Sequence, residues 1–342
     1  MFVRNCWYMI AWDHEIPADG LFSRTVLNEP IVVFRTADAG FAALEDRCCH
    51  RLAPLSAGRK EGDCVRCGYH GLKFDASGRC VEIPGMAQVP ERARVRRYPV
   101  VMKNKWLFVW MGDEAAADPA LLPDNFSCDH PNWHYRPGYM HYDTSHLLIC
   151  DNLLDFSHLS YVHEKTLGGS TMIAQAVAEV QELARGIRVS RRVPAVPAPP
   201  YYQRFRTFDT LVDRWFVYDF LVPGTLLMSS GGRPVSDAPD DLSNAVQLHS
   251  CQTLTPETDT TTHYFFQQSH FGVKENTVVT DLIFDSLLAA FHEDRDMIRA
   301  QSRIIAMKPD APMLALAMDS ALVRYRRLLD RMVALEAVGR AA

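Results

Sequence analysis

The sequence predicts an α+β protein of two domains, an all-β domain at residues 1–116 and a larger domain at residues 117–342. Three observations support this prediction. Short strands separated by turns fill the first third of the chain, and residues 114–124 shift the composition to Ala, Asp and Pro. Beyond that point, strands lie between helical stretches at both ends, which is typical of α+β and not of alternating βαβ folds.

The predicted strands of the first domain are short and bounded by turn residues. Turns are indicated at Asp38–Gly40 and at Asp75–Gly78, where Asp and Gly cluster. The strands lie at residues 31–34, 41–44, 72–74, 80–83 and 106–110. This pattern predicts an antiparallel β domain.

The second domain combines long strands with three helical stretches. The strands are predicted over residues 214–222, 245–254 and 260–268, and the helices near residues 151–162, 279–305 and 318–336. The Gly- and Pro-rich stretch Gly231–Asp241 predicts a loop. The sequence has no G-x-G-x-x-G and no Walker motif, so reducing power is expected to come from another protein.

Composition and charge argue against several kinds of partner. The apolar fraction of 48% and the charged fraction of 23% are those of an ordinary globular protein. A net charge of −5 disfavours nucleic acid, and no segment is apolar for long enough to predict a membrane span. Nine cysteines, an odd number, fit reduced thiols better than a disulfide framework, so we expect a cytoplasmic protein.

Two short Cys-His motifs carry the strongest signal in the first domain. Cys48 and His50 form a C-x-H pair, and Cys67 and His70 form a C-x-x-H pair after a spacer of sixteen residues. Two thiolates and two imidazoles are the ligand set of a Rieske [2Fe–2S] cluster, in which two His replace two Cys on one iron. Because imidazole is neutral, such a cluster accepts an electron more readily than a four-Cys cluster does. The motifs therefore predict an electron relay.

A structural zinc ion is the alternative for the same four residues. Two Cys and two His can hold zinc tetrahedrally, and Cys64 with Cys67 has the C-x-x-C form of a zinc knuckle. Zinc sites of this kind usually pair Cys with Cys and His with His in sequence, whereas each motif here offers one of each. The pattern favours the iron–sulfur cluster, and Cys49 and Cys64 are expected to be packed thiols.

A second metal site is predicted near residues 151–163. Asp155 and His158 are three residues apart and would share a helix face, with Asp151 and Asn152 on the preceding turn. His163 would lie about 140° from His158 on a regular helix, so the helix must end or bulge before it. Two His and one carboxylate form the facial triad of non-haem Fe(II) oxygenases.

Asp294 is the candidate for the third ligand. It lies at the centre of an apolar stripe on the predicted helix at 279–305, whereas Asp296 and Asp285 fall on the opposite face and Glu293 on the flank. A carboxylate on a buried stripe needs a partner. A buried salt bridge to Arg is the alternative to a metal ion.

Several aromatic and polar residues on the long strands are candidates for substrate contact. His249, Trp215 and Tyr264 are the three that we single out. Ordinary core packing or surface exposure is the alternative for each of them.

With both motifs identified, nearly the full length of the chain resembles the oxygenase component of Rieske non-haem iron systems. The similarity is greatest to the group of vanillate O-demethylase, dicamba O-demethylase and toluenesulfonate methyl-monooxygenase. The stretches that carry it are residues 5–8, 48–51, 67–74, 110–113, 151–158 and 255–264. Gly68 stands where proline is common in this family, and Leu72 where an aromatic residue is usual. Neither departure touches a predicted ligand.

This resemblance implies a Rieske domain followed by a catalytic domain in which a curved antiparallel sheet surrounds a long helix. It implies a homotrimer in which the cluster of one subunit reduces the iron of the next. Cys48, His50, Cys67 and His70 would bind the cluster, and His158, His163 and Asp294 would bind Fe(II). Asp155 would accept a hydrogen bond from a cluster histidine across the subunit boundary, and Asn152 is a lesser catalytic candidate.

The resemblance also implies the partners and the reaction. The partners would be a small aromatic substrate, O₂ and a separate NAD(P)H-dependent reductase with flavin or iron–sulfur centres. The first hypothesis is O-demethylation of an aromatic acid such as vanillate with release of formaldehyde. The second is hydroxylation of a methyl group or ring of an aromatic sulfonate or carboxylate. The third, from another class, is a Rieske electron carrier with a ligand-binding domain.

Overall fold

The computed structural model describes residues 2–163, 166, 171–199, 201–202, 205–272 and 277–341. The chain divides into two compact units. The first consists of residues 1–122 and 255–259, and the second of residues 123–254 and 260–342. The predicted domain boundary at residues 116/117 stays a prediction. All nine cysteines are free thiols. Among the described helices, none is both long and apolar enough to cross a membrane.

The first unit is built from three small antiparallel sheets. Their strand orders are β1-β11-β10, β2-β3-β4-β9 and β5-β6-β7-β8. The strands are β1 (Trp7–Trp12), β2 (Phe22–Val26), β3 (Glu29–Arg35), β4 (Phe41–Glu45), β5 (Arg59–Glu61), β6 (Cys64–Arg66), β7 (Lys73–Asp75), β8 (Cys80–Glu82), β9 (Arg97–Tyr98), β10 (Val100–Lys103) and β11 (Trp106–Trp110). This confirms the predicted all-β N-terminal part.

The second unit contains one eight-stranded sheet in the order β12-β19-β18-β17-β16-β15-β14, with β13 also paired to β19. Its strands are β12 (Trp133–His134), β13 (Gly138–Tyr142), β14 (Glu179–Leu183), β15 (Gly186–Val196), β16 (Val212–Leu221), β17 (Thr225–Pro234), β18 (Val246–Pro256) and β19 (Thr262–Phe271). Its helices are α1 (His146–Leu154), α2 (Thr171–Gln175), α3 (Thr277–Met307) and α4 (Ser320–Ala341). The pairings β12–β19, β13–β19, β14–β15, β15–β16, β16–β17 and β17–β18 are antiparallel, as the α+β prediction requires.

Helix α3 packs against one end of this sheet through aromatic rings. Phe291 on α3 lies 5.1 Å from the ring of Tyr264 and 4.9 Å from that of Phe266, both on β19. Tyr142 on β13 donates a hydrogen bond to the Phe291 carbonyl at 3.1 Å. This contact fixes the register of α3, and therefore of Asp294 one turn further along it.

Two sequence predictions about local structure are wrong. The stretch Gly231–Asp241 is not wholly a loop, because Gly231 and Gly232 lie inside β17. A Cβ on Gly231 would come within 2.5 Å of the Trp215 ring, and one on Gly232 within 2.5 Å of the Tyr202 ring. These glycines make room for neighbouring rings instead of marking a turn. The helix predicted near residues 151–162 ends at Leu154.

Candidate cluster loops and mononuclear metal site

The first Cys-His loop is held by two backbone hydrogen bonds at Cys48. The Cys48 amide donates to the Ala53 carbonyl at 2.8 Å, and the Leu52 amide donates to the Cys48 carbonyl at 2.9 Å. Closing the loop this tightly requires the left-handed conformation at Leu52, whose φ is +58°. A non-glycine residue seldom adopts this conformation, so the loop stores local strain.

The second loop repeats this backbone plan at Cys67. The Cys67 amide donates to the Leu72 carbonyl at 2.8 Å, and the Gly71 amide donates to the Cys67 carbonyl at 3.1 Å. Gly71 takes the left-handed position with φ of +74°, where glycine is unstrained. The two loops therefore present their Cys residues on equivalent turns, although their sequences differ.

The loops pair Cys with Cys and His with His in space. The Cys48 and Cys67 side chains are buried, with exposed fractions of 1% and 2%, within the hydrophobic core of the first unit. His50 and His70 lie outside this core with their ring centroids 4.6 Å apart. Two thiols on one side and two imidazoles on the other is the division between the two irons of a Rieske cluster.

Burial also explains why these thiols suit a cation. Burial raises the pKa of Cys48 to about 11, and the neighbouring Cys67 thiol adds to the effect. A thiolate at this position therefore needs a positive partner, which the iron of a cluster supplies. The Cys and His residues of the two loops therefore fit a [2Fe–2S] cluster.

Backbone contact holds the two loops together. A Cβ on Gly58 would lie 2.0 Å from the Arg66 carbonyl oxygen, and one on Gly68 would lie 2.7 Å from the Ala57 carbonyl oxygen. Only glycine allows this approach from both sides. Gly68, the departure from the usual proline, is therefore explained by its contact with the opposite loop.

The zinc alternative requires all four ligand atoms to surround one ion. In the described part of the chain, the only group of three or more His, Cys, Asp or Glu side chains with ligand atoms within 4.8 Å of one another is His158, His163 and Asp294. The two loops do not gather their donors at one point, which favours two irons over one zinc. Cys49, expected to be packed, is exposed, and Cys64 is half-buried.

The mononuclear site depends on a break in the chain after α1. Asp155 ends this helix with extended backbone angles (φ −125°, ψ 97°) and begins a 3₁₀ turn at Phe156–Ser160. Its carboxylate caps that turn by accepting hydrogen bonds from the Ser157 amide at 2.9 Å and the Ser157 hydroxyl at 2.7 Å. The break brings His158 and His163 to the same side, with ring centroids 5.3 Å apart.

Both histidines turn the same nitrogen towards Asp294. The Nδ1 of His163 lies 2.8 Å from the Glu293 carboxylate, and the Nδ1 of His158 lies 2.5 Å from the Asp155 carbonyl. Since both partners can only accept, each Nδ1 carries the proton and each Nε2 keeps a free lone pair. The Nε2 atoms of His163 and His158 lie 3.2 Å and 3.5 Å from Asp294 Oδ1.

These separations fit a single metal ion. Ligand atoms bound to a first-row metal at about 2.1 Å, with angles of about 90–110°, lie about 3.0–3.4 Å apart. Asp294 is only 4% exposed, so its carboxylate needs a partner in the site.

Burial lowers the pKa of His158, and the charge of Asp294 offsets this only in part. Burial also acts to lower the pKa of His163, but the nearby carboxylates of Asp294 and Glu293 outweigh it and raise the pKa.

Glu293 is a site residue that the sequence analysis missed. Its Oε2 atom accepts hydrogen bonds from His163 Nδ1 at 2.8 Å and from the Thr166 hydroxyl at 2.7 Å. A carboxylate behind a metal-binding histidine fixes the ring and raises its basicity. The available signal was its position on the flank of the apolar stripe, next to Asp294.

Asn152 also lies at the metal site. Its amide nitrogen donates to Asp294 Oδ1 at 3.1 Å and lies 3.5 Å from His158 Nε2. The structure thus brings Asn152, His158, His163 and Asp294 together. Asp155 is half-buried beside them. The roles assigned to all the predicted site residues stay predictions.

A cavity of about 470 Å³ opens at this site. Such a volume suits a small aromatic molecule. Its described lining is mostly apolar and aromatic, and it comes from the α1–3₁₀ segment, the inner face of the sheet and α3. The lining includes Phe156, Tyr201, Arg214, Phe216, Ser230 and Gln252.

The predicted substrate residues lie elsewhere. Trp215 and His249 line a second cavity of about 350 Å³, formed by the opposite face of the sheet. The reason is strand alternation, because Arg214 and Phe216 face the metal site and Trp215 between them must face away. Tyr264 is fully buried, and its hydroxyl donates to Gln252, which itself lines the metal-site cavity. Only Tyr264 is therefore connected to that cavity, and indirectly.

Comparison with known families assigns both parts of the chain. Residues 6–99 match the Rieske [2Fe-2S] domain, and residues 142–335 match the vanillate O-demethylase oxygenase C-terminal domain. The match to the Rieske domain covers all four residues of the two Cys-His loops.

Individual proteins are similar over nearly the full length. The iron–sulfur subunit TsaM1 of the toluene-4-sulfonate monooxygenase system of Comamonas testosteroni is 44% identical, covering 100% of both chains. The oxygenase component of dicamba O-demethylase from Stenotrophomonas maltophilia is 33% identical, covering 98% of this chain and 99% of the relative. A crystal structure of dicamba monooxygenase with non-heme iron and dicamba is 30% identical with a TM-score of 0.81, covering 98% and 99% of the two chains.

Proposed function

The chain belongs to the family of Rieske oxygenases with a vanillate O-demethylase C-terminal domain, and from this premise we propose that it hydroxylates a methyl group of a small aromatic substrate with O₂. As a member of this family it is an oxidoreductase, the oxygenase component of a multicomponent monooxygenase. Its cofactors are a [2Fe–2S] cluster and a mononuclear iron. The family implies a separate reductase as electron donor.

One observation carries the proposal. The buried group His158, His163 and Asp294 opens onto an apolar cavity of a size that fits one aromatic ring. A mononuclear iron held by two histidines and one carboxylate keeps coordination positions open and supplies the oxygen chemistry. The protein contributes orientation of the ligands and exclusion of water. A domain that merely bound a small molecule would not need two histidines and a carboxylate in metal-binding geometry at its cavity.

In this proposal, the two Cys-His loops provide the ligands of the cluster. Cys48 and Cys67 bind one iron, and His50 and His70 bind the other. The exposure of both histidine rings supports electron transfer from this side of the cluster. His158, His163 and Asp294 bind the mononuclear iron, and Asn152 stabilises the Asp294 carboxylate through its amide.

Asp155 is proposed to connect the two metal sites in a homotrimer. Its carboxylate is half-buried and accepts hydrogen bonds from Ser157, which hold it at the end of α1. Each carboxylate oxygen has a second lone pair, so Asp155 can also accept from a cluster histidine of another subunit. Its backbone carbonyl already orients His158.

The position of the methyl group distinguishes two candidate reactions. A methyl group on ring carbon would yield a stable alcohol, and the 44% identity to a toluene-4-sulfonate monooxygenase subunit favours this reaction. A methyl group on oxygen would yield a hemiacetal that collapses to a phenol and formaldehyde. The 33% identity to the vanillate O-demethylase oxygenase subunit of a Pseudomonas strain supports this second candidate.

Iron content tests the proposed metal site. We expect Asp294→Ala to keep the visible spectrum of the cluster but to lose about one of about three irons per chain, together with all turnover. The matched control is Asp296→Ala on the exposed side of the same helix, which should keep iron and activity. Full iron content and activity in Asp294→Ala would contradict the proposed ligand role of Asp294, whereas a wild-type protein with the two irons of the cluster alone and no turnover would favour the electron carrier.

A substrate panel tests the reaction. The holoenzyme, supplied with a reductase, would be tested with methylbenzenesulfonates, methylbenzoates and methoxybenzoates for O₂ uptake, hydroxylated product and formaldehyde. Alcohol without formaldehyde would support C-methyl hydroxylation, and formaldehyde would support O-demethylation. An absence of O₂ uptake and product with every compound would contradict the proposed substrate class.

A further inference from the structure

Arg214 is a buried cation in the wall of the metal-site cavity. Its exposed fraction is 5%, and it lies on β16 on the face that lines the cavity. Its Nε atom is buried and has no hydrogen-bond partner. Apart from His158 and His163, it is the only basic side chain among the described residues that line this cavity.

No carboxylate in the described part of the chain neutralises this charge. Among the described residues, no Asp or Glu oxygen forms an ion pair with the Arg214 guanidinium, and Asp294 is engaged by the two histidines. Burial acts to lower the pKa of Arg214, but the neighbouring Tyr201 and Tyr202 hydroxyls outweigh this and raise the pKa. The guanidinium is therefore charged at every pH in which the protein would be assayed.

Aromatic rings pack against the guanidinium but do not neutralise its charge. Its Cζ atom lies 5.0 Å from the ring centroid of Phe216 and 5.5 Å from that of Tyr202. Cation–π contact offsets part of the desolvation cost but leaves the Nε N–H without a hydrogen-bond partner. A buried charge in this state is costly unless another partner occupies the cavity.

The sheet makes room for such a partner. The residue opposite Arg214 on β17 is Gly232, where a side chain would collide with Tyr202. The next inward-facing residue of β17 is Ser230, which also lines the cavity. The described surroundings of the guanidinium thus offer neutral donors, namely the hydroxyls of Ser230 and Tyr201, and no carboxylate paired with it.

We propose that Arg214 binds the oxoanion substituent, a sulfonate or a carboxylate, of the aromatic substrate. This inference rests on the proposed function and adds the group that the enzyme recognises. A planar guanidinium donates two parallel hydrogen bonds to two oxygens of such an anion, which fixes its orientation as well as its position. The anion takes the place of the missing carboxylate.

The strand also orients the substrate. Tyr218 is four residues from Arg214 on the same face, about 13 Å along the strand, and its hydroxyl donates to the Leu154 carbonyl at the end of α1. Arg214 therefore lies towards the end of the strand away from the α1–3₁₀ segment that bears His158. A substrate with its anion at Arg214 directs the opposite, para position of its ring towards the metal site.

The test measures binding to the anaerobic holoenzyme by calorimetry, so that it does not depend on turnover. The probes are toluene-4-sulfonate against toluene-4-sulfonamide, and 4-methylbenzoate against 4-methylbenzamide. We expect the wild type to bind at least one anion about 10- to 100-fold more tightly than its neutral amide. Whichever pair shows the larger ratio identifies the anion as sulfonate or carboxylate.

Three variants separate recognition from stability. Arg214→Met should reduce the anion-to-amide ratio to within about 3-fold, and Arg214→Lys should retain an intermediate ratio, because a point charge attracts without the bidentate geometry. Arg191→Met is the matched control, since Arg191 is a buried arginine on the neighbouring strand, with an unpartnered Nε, that does not line the cavity. It should keep the wild-type ratio.

The outcomes are distinguishable from those for the proposed function. An unchanged ratio in Arg214→Met and Arg214→Lys, or equal binding of anions and amides by the wild type, would overturn the role of Arg214. If Arg214→Met does not fold, as judged from cluster absorbance and melting temperature, the Lys variant alone decides. Binding ratios that follow the expectation without any O₂ uptake would contradict the proposed function and leave the anion site standing.

Discussion

The contact between Glu293 and His163 allows a direct test of how the metal site is held. Glu293→Gln keeps the length and shape of the side chain but removes its charge. In the structure one Glu293 oxygen accepts two hydrogen bonds, at 2.8 Å from His163 Nδ1 and at 2.7 Å from Thr166. The variant therefore changes the basicity and orientation of His163 without removing any ligand of the metal.

The expected magnitude follows from the nature of this bond. Hydrogen bonds to a charged group are roughly twice as strong as neutral ones, so replacing the carboxylate by an amide should cost about 1–1.5 kcal/mol. This corresponds to about a 10-fold loss of iron affinity. Glu293→Ala also frees the imidazole ring and should lose about 100-fold, the upper end of what such supporting residues contribute.

The assay is competition for Fe(II) with a chelator under anaerobic conditions, with the cluster absorbance as an internal reference. Asp296→Asn is the control, because it removes one negative charge three residues further along the same helix, where the side chain is exposed and contacts Arg295. Affinities of both Glu293 variants within about 2-fold of wild type would refute the reasoning. A loss of equal size in Asp296→Asn would show that the net charge of α3 matters and the contact with His163 does not.

Three further predictions concern other parts of the chain. Cys64→Ala should retain the visible absorption of the cluster and Cys67→Ala should abolish it, and a colourless Cys64→Ala protein would show that the wrong ligands were chosen. Asp155→Asn should retain both metals but fail to form product in a single turnover from a reduced cluster, and normal product would contradict its bridging role. Burial lowers the pKa of His249 to about 4 against 6.5 for the free side chain. The unfolded chain thus binds more protons between these values, and stability should fall by about 2 kcal/mol between pH 7 and pH 5. The melting temperature of His249→Gln should fall less between pH 7 and pH 5 than that of the wild type. An equal fall in both proteins would contradict the lowered pKa of His249.

The candidate ligands of the two metal sites could be proposed from the sequence because they are close in sequence or fall on a clear periodicity, and their roles stay predictions. Cys48 with His50 and Cys67 with His70 are short-range pairs, and local chain geometry places them on two tight loops. Asp294 was found from the apolar stripe on its helix. The spacing of His158 and His163 required the helix to end or bulge before His163. The helix ends earlier than this, at Leu154, so Asp155 and His158 do not share its face, and a 3₁₀ turn follows at Phe156–Ser160.

The substrate cavity could not be predicted to the same extent. Alternation along β16 separates Trp215 from its neighbours Arg214 and Phe216, but the sequence does not say which set faces the metal site. Large aromatic side chains suggested Trp215, whereas the structure places Arg214 in the cavity. The role of Gly232 could not be predicted either, because it depends on a tertiary contact. The absence of a side chain at Gly232 leaves space for the Tyr202 ring.

Strand β16 separates the metal-site cavity from the second cavity, and its side chains line the two cavities in alternation. Substituting Arg214 or Phe216 changes only the cavity next to the metal, and substituting Trp215 or Val217 changes only the other. Insertion or deletion of one residue would exchange the two sets along the remainder of the strand. Point substitutions at every second position of β16 can therefore change the lining of one cavity without changing the other. An insertion or deletion in β16 would alter both cavities at once and would be selected against.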